Sequence, residues 1–124
     1  MAKGKKKRKD PLIVGIPIQG TVLRSTGLWY LVRMVDGKVE ECRLRGKMRM
    51  KGIKTTNPIA VGDHVLLTHD EEGGYSIYET LDRRNYVLRK SINLSKRAHI
   101  LCANIDQAII VFCIENPVTT LGYV

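Results

Sequence analysis

The 124-residue chain carries one phenylalanine, one tryptophan, three cysteines and four prolines, and the scarcities narrow what it can be. Cys42, Cys102 and Cys113 are odd in number and far apart, with no C-x-x-C pair and no histidine near enough in sequence for a local metal site. All three are expected as reduced, mostly buried thiols. No apolar run approaches the roughly 18 residues of a membrane span, and no basic helix with a bulky apolar face offers a membrane-surface anchor. The charged first nine residues lack an apolar stretch behind them, which excludes a secretory signal and makes the cytoplasm the expected location. Acid is missing over long stretches, with none between Cys42 and Gly62.

What fills that acid-free stretch is base. Arg43, Arg45, Lys47, Arg49, Lys51 and Lys54 follow one another directly after a run that reads as a β-strand. Two further clusters hold six basic residues each, Lys3 to Lys9 and Arg83 to Arg97, the latter with Arg83, Arg84 and Arg89 and no acid. Together the three groups hold 18 of the 21 Lys and Arg, so the formal charge of +9 is uneven along the chain. Single charge runs are often only solvated faces. Three of them with almost no interleaved acid point instead to a polyanion, and nucleic acid fits better than a membrane.

The 44% hydrophobic content is enough for one compact core, and the length suits one domain, or a small domain with part of a second. Residues 1–16 read as a basic flexible tail. From there the chain is punctuated like an all-β domain, with strands expected at Gln19–Thr26, Trp29–Val35, Val39–Arg45, His64–Thr68 and Tyr75–Leu81. Asp36-Gly37 is the strongest turn signal and pairs the second strand with the third as a hairpin. In that third strand Cys42 and Leu44 share one face while Glu41, Arg43 and Arg45 share the other, so the arginines point outward. Five short antiparallel strands with a long connection between the third and fourth suggest a five-stranded Greek-key barrel of the oligonucleotide-binding (OB) type over residues 17–90, with an SH3-like barrel as the competing pattern.

Trp29 and Tyr30 are adjacent, so only one of them can face inward; the other is a candidate stacking platform for an unpaired base. Met48 and Met50, alternating with the loop cations, read as core filler, and Tyr75 and Tyr78 suit cross-strand or core positions. Asp63 with His64 and His69 makes no acid–base site, because neighbours on a strand face opposite ways. Asp63 reads as a turn residue after Gly62. Residues 91–124 read as a linker and a truncated opening of an α/β domain: Ile100 to Ile114 resembles a strand buried on both faces, and Asn116-Pro117 a helix start.

The order Gly20-Thr-Val, Cys42-Arg-Leu-Arg-Gly-Lys-Met-Arg, Val61-Gly-Asp, Arg83-Arg-Asn-Tyr-Val-Leu-Arg and Ala103-Asn-Ile-Asp-Gln-Ala-Ile-Ile-Val resembles the amino-terminal third of the ribosome small subunit-dependent GTPase A family. That resemblance implies an OB barrel preceding a circularly permuted GTPase domain and a zinc-binding domain. It further implies contact of the barrel with the small (30S) ribosomal subunit and its 16S rRNA near the decoding region, during late maturation. No membrane or DNA partner is expected. A stand-alone RNA-binding module resembling a translation initiation factor is the alternative. The family's GTP, magnesium and zinc are implied for a full-length protein only. This sequence contains no G-x-x-x-x-G-K-[ST] loop, no Asn-Lys-x-Asp motif and no cysteine–histidine cluster, so the chain as given is expected neither to bind nor to hydrolyse GTP.

Overall fold

The computed structural model describes residues 16–45, 57–90 and 98–118. Five strands close into a barrel: β1 (Ile18–Ser25), β2 (Trp29–Met34), β3 (Val39–Leu44), β4 (His64–His69) and β5 (Tyr75–Thr80). Their order is β1-β2-β3-β5-β4, with β4 returning to pair with β1. Strand β3 pairs in parallel with β5 instead of with its successor β4. This Greek-key order decides between the two barrel patterns in favour of the OB type.

The strands form where the sequence alternates. In β2, Tyr30, Val32 and Met34 are at most 6% exposed, while Trp29, Leu31 and Arg33 turn outward. Val22, Cys42, Ile59, Val65, Leu67 and Ile77 complete the core. Each such side chain contributes roughly 1.5–3 kcal/mol of burial, and the barrel interior is filled by them. The β2–β3 hairpin closes where Asp36-Gly37 marks the turn, with the Met34 amide donating to the Lys38 carbonyl at 2.8 Å.

A second, two-stranded sheet follows: β6 (Tyr86–Lys90) pairs antiparallel with β7 (Ala98–Ala103). The domain boundary expected after Lys90 therefore falls inside a hairpin. β7 corresponds to only the first residues of the expected strand Ile100–Ile114. Beyond Asn104, whose amide still donates to the Asn85 carbonyl, no strand pairing occurs among the described residues, and Ile109, Val111 and Ile114 are about 80% exposed. An apolar strand of this kind needs partner strands on both sides, and the described residues supply none. No helix occurs among the described residues, and the helix start expected at Asn116-Pro117 is not seen there.

The hairpin is fixed to the barrel through one turn. Ala60 to Asp63 turns back on itself, with the Asp63 amide donating to the Ala60 carbonyl at 3.1 Å and Gly62 at φ +91°. Gly62 is held against Ala103 so closely that a Cβ would stand 2.0 Å from its carbonyl oxygen. The Ala103 amide donates to the Val61 carbonyl and Asn104 Nδ2 to the Gly62 carbonyl, at 2.8 and 2.9 Å. Asn85 and Asn104 then cross-link the start of β6 to the chain leaving β7.

Candidate nucleic-acid interface

Strand registers assign the loops to the two ends of the barrel. Ser25 opposes Tyr30, Trp29 opposes Arg43, Thr21 opposes His64, and β5 runs parallel to β3. The β1–β2 turn, the C-terminal end of β3, the approach to β4 and the exit of β5 therefore share one end. The β2–β3 loop and the β4–β5 loop share the other.

At the first end, the direct opposition of Trp29 and Arg43 on the outer face has a visible consequence. The Arg43 guanidinium lies over the indole ring, 4.3 Å from its centroid. Such cation–π stacking is worth about 0.5–1 kcal/mol at an exposed site, so it orients the arginine without locking it. Trp29 is 39% exposed and Leu28, at the turn tip, 80% exposed. Arg45 is exposed just past the end of β3, where its amide donates to the Ile77 carbonyl. Lys47, Arg49, Lys51 and Lys54, expected to continue this patch, lie outside the described residues, as do Met48, Met50 and the basic tail.

Two expected site residues are placed differently. Tyr30 is 1% exposed and belongs to the core, so of the adjacent aromatic pair Trp29 is the outward one. Its hydroxyl donates to Asn57 Oδ1 at 3.1 Å, and Asn57 Nδ2 in turn reaches Ser25 Oγ at 2.9 Å. Burial holds the Tyr30 phenol above its ordinary pKa. Arg83 is consumed by structure. Its Nε and Nη2 donate to the two carboxylate oxygens of Asp63, both at 2.6 Å, and Nη2 also reaches the Pro58 carbonyl at 3.2 Å. Asp63 is fully buried and also accepts the Ala60 amide at 2.8 Å. The hydrogen bonds to Asp63 raise the Arg83 pKa against the opposing effect of burial, and this arginine has no fork left to offer a phosphate.

Arg84 donates to Asp106 and to the Ile105 carbonyl, at 2.6 and 3.1 Å, although both charged partners are exposed. Arg89 is exposed on β6. The structure thus gathers Trp29, Arg43 and Arg45 at one end of the barrel and assigns Arg83 to a strut. Asp63 behaves as a turn residue in its backbone, but its carboxylate is an ionic anchor that the sequence reading missed; an acid set alone in a basic and apolar stretch was the available signal. Leu28, 80% exposed at the turn tip, was not among the expected site residues.

Residues 19–76 match the family described as RsgA N-terminal domain. Over 107 residues the chain is 46% identical to the small ribosomal subunit biogenesis GTPase RsgA of Phocaeicola vulgatus, covering 86% of this chain and 34% of that protein. The corresponding GTPase of Flavobacterium johnsoniae is 49% identical over 108 residues, with 85% and 33% covered. Among solved structures, YjeQ from Thermotoga maritima is 32% identical and superposes with a TM-score of 0.54, over 85% of this chain and 33% of that one. The structure of YloQ, described as a circularly permuted GTPase, also gives 0.54, at 24% identity, and speaks to the fold alone. The chain spans about a third of the length of the curated relatives it matches. Its barrel, closed in the OB order and matched in sequence over residues 19–76, is the N-terminal domain of the RsgA family.

Proposed function

We propose that the barrel binds 16S rRNA in the small ribosomal subunit, near its decoding region, as the N-terminal domain of a ribosome-assembly GTPase acting late in subunit maturation. The observation that carries this reading is the outward Trp29–Arg43 stack on the β2–β3 face, at the end where Arg45 leads into the basic stretch to Lys54. Barrels of this type bind oligonucleotides with that face and the loops beside it. The names of the relatives support the subunit as target. A target of that kind places the chain in the cytoplasm. GTP, magnesium and zinc belong in this reading to the remainder of a longer protein, since this chain encodes no phosphate-cradling loop and the described residues hold no metal-ligating cluster.

Co-sedimentation tests the proposal. The full chain is expected to pellet with purified small ribosomal subunits and not with large ones at equal concentration and near-physiological salt. Equal pelleting with both would reduce the interaction to charge alone and overturn the assignment.

A further inference from the structure

Residues 57–63, the last part of the long connection between β3 and β4, are bonded at their two ends to different parts of the molecule. At the near end Asn57 Oδ1 accepts from the Tyr30 hydroxyl and its Nδ2 donates to Ser25 Oγ, where Ser25 and Tyr30 oppose each other beside the β1–β2 turn. At the far end the Val61 and Gly62 carbonyls accept from the Ala103 amide and from Asn104 Nδ2. Between them the Ile59 amide donates back to Asn57 Oδ1 at 3.3 Å, and the Ile59 side chain is fully buried. The Pro58 carbonyl and the Asp63 carboxylate are both held by Arg83. The segment therefore has no slack in which a displacement at one end could be absorbed.

The hairpin at its far end depends on it. A lone two-stranded sheet is marginal in water, and β7 meets the barrel backbone at the Val61–Cys102 bridge and through the bonds just named. Asn104 adds a second dependence. It is held at φ +52°, a conformation a residue with a side chain enters at a cost, and its amide group offsets that cost by bonding Gly62 on one side and the Arg84 amide on the other. Loss of Gly62 removes half of the offset together with the sheet's support. Docking is then all or none.

Resting on the RNA-binding reading above, we infer that residues 57–63 and the β6–β7 hairpin form one cooperative switch, docked or released, set from the β1–β2 end through Asn57. RNA engaged at that end of the barrel restrains the contact of Asn57 with Ser25 and Tyr30 and favours the docked state. Without RNA the released state gains population. The chain beyond Asn104 thus carries the state of the RNA-facing end, which a flexible linker could not do.

Amide hydrogen exchange of the full chain, read residue by residue by NMR, tests the switch first without a ligand. The Gly62, Ala103 and Asn104 amides are expected to show similar protection, since one opening releases them all. Asn57→Ala cuts the near end alone. It is expected to lower protection at Ala103 and Asn104 together by about tenfold, as for one or two ordinary hydrogen bonds, with Met34 in β2 unmoved. Ser25→Ala, which leaves Asn57 its bond to Tyr30, is expected to act in the same direction and less. A single-stranded RNA of about eight nucleotides, its binding read by anisotropy of a 5′ label, is expected to raise protection at both amides in the unaltered chain and not in Asn57→Ala. Equal loss at Met34, or no change at Ala103 and Asn104 in either variant, would overturn the switch whether or not RNA binds. RNA bound with both amides unmoved would overturn it and leave RNA binding standing. Absence of binding would overturn the RNA-binding reading and, with it, the setting of the switch by RNA.

Discussion

The two ends of the barrel are built on the same core and carry opposite chemistry. At one end the β2–β3 and β4–β5 loops expose Asp36, Glu71 and Glu72, with Asp70 beside them, and the Lys38 ammonium lies 3.9 Å from Asp36. At the other the β1–β2 turn carries no charge, and Trp29, Arg43 and Arg45 stand beside it. OB barrels bind with both the first and the fourth loop; here the fourth is acidic and repels a phosphate backbone. The core sets the shape, and loop charge selects which end is available. The same end also shows that a basic residue in sequence is not yet a binding residue. Arg43 is held loosely over an indole, whereas Arg83 is held by a buried carboxylate and closes the structure.

The largest effect is expected on removing the strut. Asp63→Ala leaves Arg83 without its buried partner and strands the Ala60 amide, and is expected to cost about 3–5 kcal/mol in denaturant unfolding. A loss under 1 kcal/mol would return Asp63 to the role of an ordinary turn residue.

Next in size is the contact between barrel and hairpin. Gly62→Ala places a Cβ 2.0 Å from the Ala103 carbonyl at a φ of +91°. A cost of about 1–3 kcal/mol is expected, together with faster exchange of the Ala103 amide, which donates to Val61. Unchanged protection there would mean that the hairpin is held elsewhere.

Smaller again is a pH effect confined to the core. Burial, reinforced by Glu40 and Asp70, pushes the Cys42 thiol from 9.0 up to about 12. Below 9.0 both folded and unfolded chains keep the proton, so Cys42 adds no pH dependence. Between 9.0 and about 12 the unfolded thiol ionises and the folded one does not, so stability falls as pH rises. Cys42→Ala should flatten that decline in urea midpoints, Tyr30 contributing a remainder in the same direction above 10.0.

Much of the barrel was legible because its strands alternate and its turns carry glycine. The expected strand Gln19–Thr26 is Ile18–Ser25, and the expected Val39–Arg45 is Val39–Leu44. The Asp36-Gly37 turn paired the second strand with the third, and the structure closes that hairpin over Val35-Asp36-Gly37, which sets Trp29 opposite Arg43. Strand β6 was missed because Arg89 and Lys90 read as part of a charge cluster, and an antiparallel hairpin edge tolerates such residues. The Asp63–Arg83 pair joins residues 20 apart across a barrel seam, a distance over which local patterning says nothing. Ile100 to Ile114 read as a strand buried on both faces, but a run acquires strand structure only from neighbours, and past Ala103 the described residues provide none.

The claim that one end of the barrel meets RNA is tested most directly by the salt dependence of binding. Arg43→Ala with Arg45→Ala, expected to cost about 1 kcal/mol of stability through the lost indole stack, should reduce the slope of log affinity against log salt by about 1.4, at roughly 0.7 per phosphate contact on single strands. Glu71→Gln with Glu72→Gln, at the opposite end, should leave that slope unchanged. Loss of slope in the acidic-end variant, with none in the arginine variant, would contradict the account.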